Sequence, residues 1–229
     1  MRVLKQKANE AAGELLERGL AIGFNQLIDF ELSGGRQRIS WKKQGGLMSR
    51  DPSPSAYKAM LRHREYFLLL SDYSALQLYY ETLNDEILEH RLCYFPCPFK
   101  IDDDEQELLD YGLEVLDLID DWSPNELVER MQLQSPIRFD FDASNSGPSH
   151  ASSHVHLSRD CCRVPVSHPI DPGRFMAFVL FNFYHTEWVE KDLEDVTHVV
   201  NLESSIDREE KWLFYFQRGH WKTDRDLPL

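Results

Sequence analysis

Two short segments with strictly alternating residues decide the fold: Pro136-Ile-Arg-Phe-Asp-Phe-Asp142 and His154-Val-His-Leu-Ser158. In a β-strand successive side chains point to opposite faces, so the apolar residues of each segment share one face and the polar residues share the other. If the segments pair as antiparallel strands, both apolar sets must face the core, because a slip of one residue would expose them. The sequence therefore predicts a polar sheet face that carries acids and imidazoles together.

This polar face is expected to gather six side chains: Arg138, Asp140, Asp142, His154, His156 and, from a third strand at 162–166, Arg163. A histidine beside a carboxylate suits general acid or base catalysis near neutral pH, and an arginine can neutralise phosphoryl charge. In metal-free phosphodiester cleavage the acids and imidazoles would be the catalytic residues. The two arginines would then bind phosphate.

The same residues also fit a metal centre. The H-x-H spacing on a strand recurs among metal ligands, so His154 and His156 with Asp140 would bind a divalent metal ion and leave positions open for water. Asp142 is the alternative carboxylate ligand. A purely structural role is also open, because cross-strand Asp-His and Asp-Arg pairs help to set strand register. The sequence favours neither the metal-dependent nor the metal-free mechanism.

The rest of the chain reads as alternating groups of strands and helices. Apolar periodicity, turn residues and helix caps predict, in chain order, a helix over 1–22 that Gly23 ends, strands at 27–32 and 36–41, a helix at 56–64, strands at 66–70, 75–80 and 87–95, helices at 102–119 and 124–131, and a helix at 174–185. This order predicts an α+β fold whose mainly antiparallel sheet, a meander, is covered by helices on one face. We expect one domain over 1–229, with 186–229 as a peripheral helical tail.

Composition limits the classes of protein. The 229 residues include 42% hydrophobic residues, enough for a sizeable core, and 25 Lys and Arg against 39 Asp and Glu give a net charge of −14. Such a charge disfavours binding of duplex nucleic acid over the whole surface. No apolar run approaches the roughly 18 residues of a membrane span, and no leader pattern follows Met1. We therefore expect a cytoplasmic protein that contacts no membrane.

Charge is segregated along the chain. Between Arg36 and Arg64 there are eight basic residues and one acid, so this stretch is a candidate site for RNA or single-stranded nucleic acid, with Trp41 and Tyr57 available for base stacking. Residues 101–130 hold twelve acids and one basic residue. The basic stretch could instead dock on these acidic helices within the same molecule, and the acidic helices could face a basic partner protein.

Several of these segments together resemble a known family. They are Arg138-Phe-Asp-Phe-Asp142, Ser153-His-Val-His156, Cys162-Arg-Val-Pro-Val166 and the stretch from Pro169 to Tyr184, preceded by His90-Arg-Leu-Cys-Tyr-Phe-Pro96. The pattern resembles an uncharacterised bacterial family, catalogued only as a domain of unknown function, over most of the chain. That family brings no established activity. A strand that ends in Asp and precedes a His pair is also similar to TumE-type toxins, over too short a stretch to carry over any residue.

These observations lead to two hypotheses of function. The first is a nuclease-like effector enzyme of a bacterial toxin-antitoxin or phage-defence locus, whose cofactor is open between none and a divalent metal ion. The second is a non-catalytic binding module, such as an antitoxin, immunity protein or adaptor, that uses the acidic helices of 101–130. Either one would act with a protein partner encoded in the same locus.

Overall fold

The computed structural model describes residues 2–42, 53–110, 114–145, 151–157 and 162–197. The helices in this part of the chain are Arg2–Glu17 (α1), Pro54–Arg62 (α2), Asp103–Asp110 (α3), Val115–Asp121 (α4), Pro124–Arg130 (α5), Pro172–Phe183 (α6) and His185–Glu190 (α7). The strands are Ala21–Phe24 (β1), Ile28–Glu31 (β2), Gln37–Ser40 (β3), Leu68–Leu70 (β4), Ala75–Leu83 (β5), Glu86–Phe95 (β6), Ile137–Asp142 (β7), Ser153–Leu157 (β8) and Arg163–Pro165 (β9). None of these helices is both long enough and apolar enough to cross a membrane.

All nine strands belong to one open antiparallel sheet. Its main path is β1-β4-β5-β6-β7-β8-β9, and the β2-β3 hairpin joins the far end of β5. The two longest strands, β5 and β6, are joined by a tight turn in which Asn84 and Asp85 both have positive φ angles. Asn and Asp tolerate this conformation, which two-residue hairpin turns require. The predicted α+β class and antiparallel meander are confirmed.

The core lies between one sheet face and the helices α1 and α6. Phe139 points to this face from β7, and its ring contacts the rings of Phe175 and Phe178 on α6 with edge-on geometry at 6.1 and 5.1 Å between centroids. The opposite face is divided. The α2 helix covers the part of this face near Phe95, whose ring centroid lies 6.0 Å from that of Tyr57. The rest of this face carries the polar side chains of β5 to β9.

Two helices have caps that are encoded locally: α5 begins at Pro124 as predicted, and α6 begins at Pro172, two residues before the predicted start. Ser123 and Glu126 form a reciprocal capping box at the start of α5, with Pro124 in the first turn. Asp171 caps α6 by accepting a hydrogen bond from the Arg174 N–H. This helix ends at Phe183, two residues earlier than predicted.

The predictions for the first helix and for the helix over 102–119 were wrong. The first helix ends at Glu17, because the chain turns at Gly19, which has φ +69°, and residues 21–24 then pair with β4 as a strand that the sequence did not indicate. Tertiary strand pairing here overrides local helix propensity. The single helix expected over 102–119 is described as two helices, α3 and α4, on either side of 111–113, which lie outside the described residues. Of the predicted tail, α7 already begins at His185, and 198–229 lie outside the described residues.

Candidate functional site

The strands β7 and β8 pair as the alternating pattern predicts. Asp140 lies opposite His154 and Arg138 lies opposite His156, while β9 places Arg163 opposite His156 on the other side. Residues opposite each other in an antiparallel pair share a face. The polar residues of three neighbouring strands therefore lie on one face of the sheet.

Asp140, His154 and His156 form a compact group, which we call the Asp-His cluster. The two histidine Nε2 atoms are 3.0 Å apart, and His156 Nε2 lies 3.3 Å from Asp140 Oδ2. All three ligand atoms lie within 4.8 Å of one another. Both imidazoles are about 95% buried, whereas the Asp140 side chain is 19% exposed. The ligand atoms of three side chains thus converge at one point, and Asp140 is the member that solvent reaches.

The backbone fixes the orientation of one imidazole. His154 Nδ1 lies 2.9 Å from the carbonyl oxygen of Ala151. A carbonyl oxygen can only accept, so Nδ1 must carry the hydrogen and, in the neutral ring, Nε2 presents a lone pair toward His156. His156 Nδ1 is buried and has no hydrogen-bond partner among the described residues.

Arg138 holds the carboxylate of Asp140. The guanidinium Nε lies 2.9 Å from Oδ1 and 3.0 Å from Oδ2, and the Arg138 side chain is only 8% exposed. Burial by itself raises the pKa of the Asp140 carboxyl, but the hydrogen bond from His156 and the charge of Arg138 outweigh it and lower the pKa to about 2. Asp140 is therefore ionised at neutral pH.

Asp142 and Arg163 do not join the cluster. Asp142 ends β7, and its Oδ1 accepts hydrogen bonds from the Ser144 N–H at 2.9 Å and from the Ser144 hydroxyl at 2.7 Å, so it closes the turn that follows the strand. Arg163 is exposed on β9 beside His156. Arg138 reaches Asp140 and is too buried to present its charge to solvent.

Sequence reasoning missed two residues that surround the cluster. Cys93 on β6 lies opposite Arg138 on the same face, fully buried, and burial raises the pKa of its thiol to about 12. The alternation of His90-Arg-Leu-Cys93 carried the signal that would place Cys93 there. The Ala151 carbonyl had no signal in the sequence, because any residue would supply the same oxygen.

The basic stretch between Arg36 and Arg64 does not form an aromatic-basic surface in the described residues. Tyr57 is fully buried and Trp41 is 6% exposed, so neither ring is available to stack on a base in this fold. Lys58 and Arg62 both pair with Asp120 on α4, and Lys42 pairs with Glu65. The two contacts with Asp120 correspond to the intramolecular alternative, in which the basic stretch docks on the acidic helices. Lys43, Arg50 and Asp51 lie outside the described residues.

The fold and the cluster together define an α+β protein with an open antiparallel sheet and an Asp-His group on one face of that sheet. Residues 25–218 match the family described as Uncharacterized conserved protein (DUF2290), and the chain belongs to this family. The resemblance to an uncharacterised family is thereby confirmed. No curated protein and no solved structure matches the chain. Any activity must therefore be argued from the site itself.

Proposed function

We propose that the chain is a hydrolase that cleaves phosphodiester bonds at the Asp-His cluster. One observation carries this proposal: an ionised carboxylate and two imidazoles converge within 4.8 Å on a sheet face that also bears an exposed arginine. Cross-strand pairs that only set register do not need two buried imidazoles with facing nitrogens. Buried titratable groups that converge at one point are typical of catalytic centres.

We assign a different role in this reaction to each group of residues on this face. The Asp-His cluster is the reacting centre, and Arg163 is placed to hold a non-bridging oxygen of the substrate phosphate, because it is exposed next to His156. Arg138 acts as a positioning residue, since its guanidinium is engaged by Asp140. The substrate would approach over Asp140, the member of the cluster that solvent reaches, with Arg163 exposed on the strand beyond His156.

We place this activity in a bacterial effector of a toxin-antitoxin or phage-defence locus, with RNA as the substrate. The net charge of −14 is unfavourable for any polyanion and most unfavourable for duplex DNA, whose charge density is higher, so single-stranded RNA is the less penalised substrate. An effector of this kind should arrest growth when it is expressed without its partner. Growth that is unaffected by the wild-type chain at high expression would count against this setting.

Cleavage of end-labelled single-stranded RNA by the purified chain tests the proposal. His154→Ala and His156→Ala should each lower the rate of cleavage at least 100-fold, because general acid-base or metal chemistry contributes at least that factor. His63→Ala is the matched control, since His63 is exposed at the end of α2 and supplies no ligand atom to the cluster. Equal activity in all three variants would remove the proposal.

A second candidate function, a protein-binding module, is favoured by the surface around α5. Val128, Met131 and Leu133 are exposed by 70%, 43% and 101%. An adjacent apolar groove of about 330 Å³ is lined by residues that include Pro54 and Leu127. Exposed acids lie on the helices α3, α4 and α5, and Lys58 and Arg62 also line the groove. Clustered apolar residues with a charged rim are typical of protein interfaces.

Co-purification with the product of a neighbouring gene tests this second function. The double variant Glu114→Lys and Asp117→Lys, which reverses two exposed charges on and before α4, should abolish capture of a basic partner. Glu86→Lys, an exposed charge reversal at the start of β6, should leave capture unchanged. Capture at the wild-type level by both the double variant and Glu86→Lys would exclude the acidic helices as the interface.

A further inference from the structure

We propose that the Asp-His cluster binds one divalent transition-metal ion through His154 Nε2, His156 Nε2 and Asp140 Oδ2. This inference names the cofactor of the centre on which the proposed function rests, and it decides between the two mechanisms that the sequence leaves open. Binding of the ion is measured independently of any activity, so each can fail without the other.

The distances suit a metal ion. Two ligand atoms bound at about 2.0–2.1 Å and separated by about 90–110° lie roughly 2.9–3.4 Å apart. The pair His154 and His156 is at 3.0 Å, and the pair His156 and Asp140 is at 3.3 Å. The third pair lies within 4.8 Å. Ligands on opposite sides of an ion are at most about 4.2 Å apart, so binding of the ion requires Asp140 Oδ2 and His154 Nε2 to lie within that distance.

The surroundings hold two of the three ligands in the required state. The Ala151 carbonyl keeps the hydrogen of His154 on Nδ1, so that in the neutral ring Nε2 carries a lone pair. Metal-bound histidines commonly donate their other N–H to such an oxygen. Arg138 hydrogen-bonds both oxygens of the Asp140 carboxylate and holds it beside His156, whose Nε2 lies 3.3 Å from Oδ2.

The same geometry disfavours a metal-free pair of histidines. In phosphodiester cleavage the attacking and leaving oxygens lie in line on opposite sides of the phosphorus. A general base and a general acid must therefore stand on either side of the phosphoryl group. Two imidazole nitrogens that face each other at 3.0 Å cannot straddle a phosphate. They can share one cation.

The donor set selects the class of metal. Two imidazole nitrogens and one carboxylate oxygen suit Zn²⁺ or Fe²⁺, whereas Mg²⁺ and Ca²⁺ prefer sites made of oxygen atoms. Three protein ligands leave at least one coordination position for substrate or water on the Asp140 side. An ion of this class would activate water and polarise a phosphoryl oxygen, and Arg163 lies opposite His156 on the neighbouring strand β9.

Isothermal titration of the full chain, freed of metal with a chelator, tests the proposal with Zn²⁺ and, under anaerobic conditions, with Fe²⁺. We expect one ion per chain and no comparable binding of Mg²⁺. Loss of an outer-shell contact weakens metal binding by about 10–100-fold, so His154→Ala, His156→Ala and Asp140→Asn should each weaken it by at least that factor. Asp142→Asn is the matched control, because Asp142 lies on the same strand and face but is engaged by Ser144.

X-ray absorption of the zinc-loaded wild type identifies the ligands without relying on variants that fail to fold. Two imidazoles and a carboxylate at the bound ion would support the site. Absence of stoichiometric binding, binding that survives all three cluster variants, or a ligand set rich in sulfur would overturn it. RNA cleavage that persists in metal-free protein would overturn the proposed metal cofactor and leave the proposed function intact. Metal binding without any RNA cleavage would support the metal site and count against the proposed function.

Discussion

Arg138 and Asp140 lie two residues apart on β7, and the guanidinium Nε is within 3.0 Å of both carboxylate oxygens. Residues i and i+2 of a strand share a face, and the arginine side chain is long enough to lie along the strand and reach the carboxylate. The arginine is almost completely buried beside Cys93 and His156. The carboxylate of the Asp-His cluster is thus fixed from within its own strand.

Removal of this arginine should cost both stability and metal affinity. Arg138→Met removes the positive charge and keeps much of the volume, so Asp140 loses its ion-pair partner in a largely buried position. Because Asp140 is partly exposed, we expect a loss of about 1–3 kcal/mol in the free energy of unfolding by urea. Zinc binding should weaken about 10–100-fold.

Arg138→Lys is the informative comparison. Lysine retains the charge but cannot reproduce the planar guanidinium contact. It should recover more of the stability than of the zinc affinity, because orientation of the carboxylate matters more to the ion than the charge alone. Equal recovery of both quantities would show that Arg138 contributes charge and not position.

The contact of Phe139 with α6 should dominate the packing beneath the site. Phe139 is 6% exposed and contacts two phenylalanine rings of α6. Phe139→Ala should lower the free energy of unfolding by about 3–5 kcal/mol, through lost apolar burial and a residual cavity. Leu133→Ala, at a fully exposed position, should change it by less than about 0.5 kcal/mol. Comparable losses in both variants would mean that the sheet does not pack on α6 in solution.

His90 lies on the core face of β6, between the rings of Tyr80 and Phe141, and its Nε2 accepts a hydrogen bond from the Ile170 N–H. Burial lowers the pKa of His90 from 6.5 to about 4. In acid the unfolded chain therefore takes up this proton before the folded chain does. The contribution of His90 to stability is complete above pH 6.5 and is lost progressively as the pH falls toward 4.

His90→Gln tests this linkage, because glutamine can accept the same hydrogen bond but does not titrate. From pH 7 to pH 4 the wild type should lose roughly 3 kcal/mol more unfolding free energy than the variant, about 1.4 kcal/mol for each pKa unit of the shift. Urea unfolding at several pH values provides the measurement. Parallel pH dependences for the two proteins would show that His90 is not buried in its neutral form.

Local patterns accounted for much of the fold. The alternation in β7 and β8, the Asn84-Asp85 turn and the cap at Ser123 are each encoded by a few adjacent residues, and each was predicted. The strand β1 was not predicted, because its four residues are defined by pairing with β4 far along the chain. Short strands of this kind carry little local signal.

The sequence predicted which site residues share a sheet face, but not which of their side chains contact each other. Register alone places Asp140 with His154 and His156, since opposite residues share a face. It also places Asp142 there, yet the end of the strand lets the Ser144 turn engage that carboxylate instead. The ion pair between Arg138 and Asp140 depends on side-chain conformation and burial, which the alternating pattern does not encode.

The contact of Lys58 and Arg62 with Asp120 ties α2 to α4, and all three side chains are at least 25% exposed. Such pairs are screened by solvent and salt, so Asp120→Asn should cost less than about 1 kcal/mol in the free energy of unfolding at low salt and almost nothing at high salt. The variant leaves both cations without this acid, so it should also bind single-stranded RNA more strongly than the wild type does at low salt, as a filter-binding assay would detect. A large loss of stability that persists at high salt would show instead that Asp120 packs the two helices together by more than charge.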